Sequence, residues 1–553
     1  MSLAAFFVFS LLLLHQYGSS TARAPFLSAL LRVRGEIILS HQFFFPGHAG
    51  SLTGLDLPEL DGLDNLHAPE GVLAEALKLA QDLYFSKQSW FLVNGSTGGL
   101  LTCIVALSRA RTSSCPRRST FIICRDAHKA VFDGLWLAQC TALVLPCVVH
   151  DDFGVAVGPD LSALEGLLKE HAHDVAGLVL TRPTYQGVVL NAEALTAVCA
   201  LCHNYNVPVL VDEAHGAHLR LLPASFAIKD ALQCGADLVV QSSHKTLTAL
   251  TQSAMMHAGP DCFSYLSPAD REATLRLLQR TFSGLHSTSP SALLLASLDA
   301  ARALAASPEG RNQVAEAAAA GMALREAIRG PHLQLLDDCL SFSPPAPAAA
   351  AAAAERPMYA VDPLRLSVRY PSCSDSTVVD DALCDDLGLY CELNLPSCIT
   401  YCLPPSLSRN SPGFAALQKG LASAANGCYG AAGDGLVGER RRPSGDAMSK
   451  TTKLACSVAL VDPTPALEGW GEEVLEVDGA FGALVGRISV ETLCPYPPGI
   501  PIVIQGERLT TATVEALRSL RADLARSKGL ASGRFVTGAV DPLLQTLRVY
   551  IEG

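Results

Sequence analysis

Residues 236–245 read ADLVVQSSHK. An apolar centre, Leu238 to Val240, runs into a polar end that closes on Lys245. The run has the length of a strand, and its continuous apolar character suits a strand covered on both faces of a parallel sheet. Five other stretches share the texture: SWFLVNG (89–95), STFIICRD (119–126), ALVLPCVV (142–149), VAGLVLTRP (175–183) and VPVLVDEAHG (207–216). Between them, LSALEGLLKEHAH (161–173) and AEALTAVCALCHNY (192–205) carry helical periodicity. Strand and helix alternating in this way predict a doubly wound α/β domain over residues 25–300, a mostly parallel sheet with helices on both faces.

Past residue 300 the pattern changes. Residues 301–407 predict a smaller α/β domain interrupted by the low-complexity stretch SPPAPAAAAAAAERP (343–357). Residues 408–452, rich in Gly, Ser and Arg, are expected to be a linker without fixed structure, and 453–553 a C-terminal domain. The first 24 residues hold an apolar run, Leu3 to Leu14, resembling the core of a signal peptide, with Ala22-Arg23-Ala24 as a small-residue cleavage site. The basic start of such a signal is missing, so an organellar extension or a misassigned start codon fits equally. The run is too short to span a bilayer comfortably, and no membrane span is expected.

The 553 residues are 49% hydrophobic and 17% charged, with a net charge of −12. An acidic chain without a basic stripe argues against nucleic acid and against anionic membrane surfaces as partners. The 18 cysteines are scattered, often among Ala, Leu and Val, which predicts free thiols in a reducing compartment, cytoplasmic or organellar, with secretion left open by residues 1–24.

Three motifs compete for the chemistry. VDEAHGAH (211–218) imitates a helicase box, but no phosphate loop precedes Asp212; GDAMSKTT (445–452) follows it and lacks the second glycine. CALCH (199–203) spells a haem-attachment pattern, yet its apolar helical spacing favours structural cysteines, and a zinc site at His215 and His218 is discounted to the same degree. No metal site is expected. The third candidate is Lys245. Asp212 and Lys245 end successive predicted strands, and ligands of open α/β sheets collect outside carboxyl ends of strands. A lysine there needs a covalent or ionic reason. Pyridoxal phosphate supplies one: its aldehyde bonds a lysine amine, its ring nitrogen needs a carboxylate, and its phosphate wants the amides of a helix N-terminus. FLVNGSTGGLLTCIVAL (91–107) offers the last as strand, glycine-rich turn and helix, with Ser96 and Thr97 in the turn.

On these residues the chain resembles the Orn/Lys/Arg decarboxylases, pyridoxal-phosphate enzymes of the aspartate-aminotransferase fold (fold type I). The lysine signature is met by VQSSHKTLTALTQSA, and further matches are FFFPGHAG (43–50), DLPELDGLDNLHAPEG (56–71), FLVNGSTGG (91–99), RDAHKA (125–130), PTYQG (183–187), VDEAHGAH, HSTSPS (286–291) and PYPPGIP (495–501). The closest likeness is to short members without an N-terminal response-regulator-like domain. The resemblance implies a major domain followed by smaller α+β domains, and a decarboxylase of lysine, arginine or ornithine serving polyamine synthesis. Lys245 would carry the cofactor, Asp212 pair with its ring nitrogen and His128 stack on its face. Ser96, Thr97 and Ser242 would bind phosphate. His215 would border the cofactor, and His244 would lie beside the lysine as a candidate proton donor. Ser287 and Thr288 would reach the phosphate of a partner subunit in a homodimer with shared sites. Glu213 and His218 are expected to be structural. The acidic run Asp56, Glu59, Asp61 and Asp64 would lie near the entrance. Two departures, Ala49 and Arg182, are expected to alter the rim of the site or its substrate. The alternatives are another pyridoxal-phosphate reaction, transamination or elimination, and a catalytically silent relative.

Overall fold

The computed structural model of the chain describes residues 23–37, 46, 54–110, 118–340, 358–373, 375–426, 459–461, 471–477, 484–496, 499–526, 535–537, 539 and 544–551. Residues 1–22, Ala49, the alanine-rich stretch 343–357 and most of the predicted linker lie outside them.

The major domain is built on β1 (Gln88–Leu92), β2 (Thr120–Cys124), β3 (Thr141–Leu145), β4 (Cys147–His150), β5 (Val155–Pro159), β6 (Val175–Thr181), β7 (Val188–Leu190), β8 (Val209–Asp212), β9 (Leu238–Gln241) and β10 (Ala254–Ala258). The strands β9, β8, β6, β2 and β3 pair in parallel in that spatial order. β10 lies between β1 and β9, antiparallel to both. The eighth strand, at the far edge beyond β3, is contributed by Ala459–Val461 from late in the chain. Every residue of β2, β8 and β9 is buried, as their continuous apolar runs require.

One predicted strand is two. Pro146 offers no amide to the ladder, so 142–149 breaks there: β3 stays in the main sheet, and β4 turns away to form a hairpin with β5.

The helix Gly95–Arg109 crosses the sheet at close range. A Cβ on Gly99 would stand 2.7 Å from a Leu92 methyl and 2.8 Å from one of Val240. Only glycine lets this helix lie against β1 and β9, which places its N-terminus at their carboxyl ends.

Residues 334–402 form a four-stranded antiparallel sheet whose order is Gln334–Leu335, Arg365–Arg369, Ile399–Cys402, Leu393–Asn394. It packs its own core, including Leu324, Leu366, Val368, Ile399, Tyr401 and Leu421. The expectation of an unstructured 408–452 is corrected over Pro412–Ala425, which is a helix. Ser411 caps it by accepting from the Phe414 amide, proline occupies its first turn, and Phe414, Leu417 and Leu421 bury one face. The Gly, Ser and Ala content of the segment hid that spacing. A third core, around Val514, Leu517, Leu547 and Val549, belongs to the C-terminal residues. Among the described residues no helix is long and apolar enough to cross a membrane.

Candidate active site

Asp212 is the last residue of β8, and β9 delivers Ser242 and then a single helical turn, Ser243–Thr246, that carries Lys245. Lys245 is therefore on a turn just past the strand. Asp212 is buried, and one carboxylate oxygen accepts from the Ala214 amide at 3.1 Å. Burial raises its pKa, while Lys245 pulls it down. Lys245 keeps part of its side chain accessible. Loss of solvation lowers its pKa against the attraction of Asp212, and the Arg365 guanidinium lowers it further.

Lys245 Nζ lies 3.1 Å from His215 Nε2, and His215 Nδ1 lies 2.7 Å from Arg365 Nη2. Arginine has donors only, so Nδ1 must accept. Burial, with Arg365 beside it, holds the imidazole well below its ordinary pKa, and with Nδ1 accepting from Arg365 the one proton of the neutral ring sits on Nε2. The Nε2–H then donates to Lys245, which can accept only through the lone pair of a neutral amine. The relay Arg365, His215, Lys245 thus favours the nucleophilic form of the lysine.

Arg365 is the residue the sequence reading missed. It opens one of the two inner strands of the small-domain sheet, Arg365–Arg369, and reaches back into the major domain. Gly187 makes room for it: a Cβ there would stand 2.2 Å from the Arg365 Cβ, and the φ of +90° is itself one that favours glycine. No motif marks an arginine more than a hundred residues from the lysine. Tyr185 stacks at a tilt on His215, ring centroids 4.8 Å apart, and its hydroxyl donates to Glu392 at 2.5 Å. Glu392 is exposed and its charge reaches Lys245.

His128 caps the helix Lys129–Ala138, its Nδ1 accepting from the Ala130 amide at 3.1 Å. Burial above all, with the positive charge of Lys129 beside it, pushes it down to about 4, so it presents a neutral ring. Ser242 Oγ donates to Ser96 Oγ at 2.9 Å, which joins the end of β9 to the first turn of the helix Gly95–Arg109. Thr97 is exposed in that turn. His244 is half-buried, its Nδ1 3.0 Å from the Ser253 carbonyl, and burial lowers its pKa. Ser287 and Thr288 are exposed; the Ser287 carbonyl accepts from His67 Nε2 at 2.8 Å.

A lysine and a carboxylate at adjacent strand ends, a neutral histidine beside them, and serine hydroxyls at a helix N-terminus are the donor set that pyridoxal phosphate requires. Ser243 Oγ and Thr246 Oγ1, both buried on the lysine's own turn, have no hydrogen-bond partner among the described residues, so polar capacity is in hand for a ligand.

Other expected roles resolve differently. Arg182 does not reach the rim of the site. It is buried, paired with Glu213 at 3.1 Å, and donates to the carbonyls of Leu190 and Lys229 at 2.7 and 2.6 Å. Glu213 also accepts from Gln241 and the Ala231 amide, and His218 pairs with buried Asp362 at 2.9 Å; both are structural, as expected. Asp64 accepts from the amides of Asn65, Glu70, Gly71 and Leu73, so it is committed to the turn before the helix Val72–Tyr84.

The described geometry has counterparts among known proteins. The profile of the Orn/Lys/Arg decarboxylase major domain matches residues 35–380, and that of the C-terminal domain of the same family matches residues 472–529. A Bacillus subtilis (strain 168) protein, YaaO, is 31% identical over 497 residues, 87% of this chain and 91% of its own. An arginine decarboxylase of the same organism is 28% identical over 92% of this chain and 95% of its own. Among solved structures, the lysine decarboxylase LdcF of Francisella novicida superposes with a TM-score of 0.72 at 16% identity, over 96% of this chain and 82% of that one. Lysine decarboxylase A of Pseudomonas aeruginosa gives 0.71 at 19%, over 95% and 80%. At those identities the structures speak for the fold, while the profile over residues 35–380 and the full-length relative speak for descent: the chain belongs to the Orn/Lys/Arg decarboxylase family of fold-type-I pyridoxal-phosphate enzymes.

Proposed function

We propose that the protein decarboxylates a basic amino acid to its amine and CO₂, with arginine the favoured substrate and lysine the second. The observation that carries the reaction is the Lys245–His215–Arg365 relay facing Asp212. The preference for arginine is supported by the relative named arginine decarboxylase that aligns along 92% of the chain; a relative named lysine decarboxylase aligns over 52% at 25% identity.

When bound, pyridoxal phosphate supplies an electron sink conjugated to the Cα of the substrate. Lys245, its amine biased toward the neutral form by His215, would hold the cofactor through its aldehyde. Asp212 would keep a proton on the ring nitrogen. His128 would lie against the ring. Ser96, Thr97, Ser242 and the first amides of the helix Gly95–Arg109 bind the phosphate, with Ser287 and Thr288 of a second copy completing that shell in a homodimer. Lys245 or His244 returns a proton to Cα after CO₂ leaves. Glu392, exposed and in electrostatic reach of Lys245, receives the cationic end of the substrate. The 25–300, 301–407 and 453–553 divisions are proposed as the functional units, the crevice lying between the first two.

The test is product analysis with arginine, lysine and ornithine in the presence of pyridoxal phosphate. Agmatine and CO₂ from arginine are expected. A keto acid would point to transamination instead, and no product from any of the three would point to a silent relative.

A further inference from the structure

Cys124 ends β2 and Cys147 begins β4, and the break at Pro146 folds the second strand back so that the two Sγ atoms stand 3.4 Å apart. Asp126, two residues beyond Cys124, is only 5% exposed, and among the described residues its Oδ1 has no hydrogen-bond partner of ordinary geometry. Each residue has a ligand atom within 4.8 Å of the others. The carboxylate has the two thiols as its neighbours, so three buried ligand side chains converge on one point where a cation would replace the thiol protons. The neighbouring guanidinium is committed elsewhere: Arg125 donates to the carbonyls of Pro501 and Ile502 at 2.6 and 2.7 Å.

Two thiols and a carboxylate are ligands for a thiophilic divalent ion. Sulfurs bound to tetrahedral zinc at about 2.3 Å stand roughly 3.8 Å apart, so a small opening of the Cys124–Cys147 pair accommodates the ion. We infer that Cys124, Asp126 and Cys147 form a binding site for Zn²⁺ or a similar soft divalent cation, with water in the fourth position. Binding displaces one proton from each thiol and leaves two thiolates and the carboxylate on the metal. The ion ties the end of β2 to β4 and fixes the segment 124–128, which ends at His128. It is a positioning site, since none of its ligands reaches Lys245 by a hydrogen bond among the described residues. The inference does not depend on pyridoxal phosphate, because the three ligands come from the chain alone.

The test uses the full chain purified without a metal-binding tag, dialysed against Zn²⁺ or Co²⁺ and freed of loose ion. One equivalent per chain that is lost in Cys124→Ala and Cys147→Ala is expected, with a sulfur-to-cobalt charge-transfer band in the Co²⁺ form. Asp126→Asn, which keeps the shape of the side chain, should weaken retention at least tenfold, and Cys384→Ser in the small domain should not change it. Far-ultraviolet circular dichroism identifies any variant that has failed to fold, and Asp126→Asn then decides alone. A wild-type chain that retains no ion, or one whose retained ion and cobalt band survive all three ligand substitutions, overturns the site; so does a Cys124–Cys147 disulfide in protein prepared under reducing conditions.

Discussion

Lys245 Nζ and His215 Nε2 stand 3.1 Å apart, and the direction of that bond is fixed from the far side of the imidazole, where Arg365 Nη2 donates to Nδ1 at 2.7 Å. A guanidinium can only donate, so the ring must present its proton to the lysine, and the lysine must present a lone pair. The small domain thereby biases a lysine of the major domain toward its neutral form.

Replacing Arg365 with Met removes both the donor and a positive charge that lowers the pKa of Lys245. The pKa of the free lysine then rises, so a smaller fraction is neutral at any pH below it. The rate at which the metal-free, cofactor-free chain takes up pyridoxal phosphate should therefore show its acid limb at higher pH than wild type, with the alkaline plateau retained. Stopped-flow absorbance against pH measures this; superimposable profiles would remove Arg365 from the relay.

Asp212→Asn keeps the hydrogen-bond acceptor for Ala214 and removes the charge. Cofactor dissociation should quicken and kcat fall by at least a hundredfold, since the carboxylate is assigned to hold the ring proton. Equilibrium dialysis and a CO₂-release assay check both.

His128 is neutral in the folded chain down to about 4 and titrates near 6.5 when unfolded. The unfolded state takes up the extra proton below 6.5, so stability attributable to this group is present above that pH and is lost as pH falls toward 4. After allowance for its partial exposure the loss is about 2 kcal/mol. His128→Asn, which keeps a cap for the helix Lys129–Ala138, should flatten that part of the urea-midpoint profile.

Arg182→Met leaves Glu213 without its buried cation. A stability loss of roughly 3–5 kcal/mol is expected, with the order of preference among arginine, lysine and ornithine unchanged. A changed preference would return Arg182 to the rim of the site.

Glu392→Gln should raise KM for the basic amino acid at least tenfold with a smaller effect on kcat, because it is assigned to binding rather than to bond breaking. Steady-state kinetics with arginine separates the two.

The strands that carry Asp212 and Lys245 could be read directly, because strands covered on both faces leave continuous apolar runs and chemistry gathers at their ends. The phosphate turn was legible for the same reason: Gly98, Gly99 and Ser96 sit at a strand-to-helix junction whose glycines serve close approach. Arg365, Tyr185 and Glu392 were not legible. They come together only when the small domain folds back on the major one, and an arginine in LRLSVRY looks like any polar residue in a strand. Arg182 misled in the opposite sense, since a charged residue beside a site motif suggests function until the buried Glu213 opposite it is known. Nothing in the sequence joins Cys124 to Cys147, because only the turn at Pro146 makes them neighbours.

The central claim is that Lys245 holds pyridoxal phosphate. Borohydride reduction of the cofactor-loaded chain, followed by proteolysis and mass mapping, tests it without reference to any substrate. A single phosphopyridoxyl group on the peptide containing Lys245 is the predicted result. Modification of a different lysine, or none in a chain that has bound the cofactor, would contradict it.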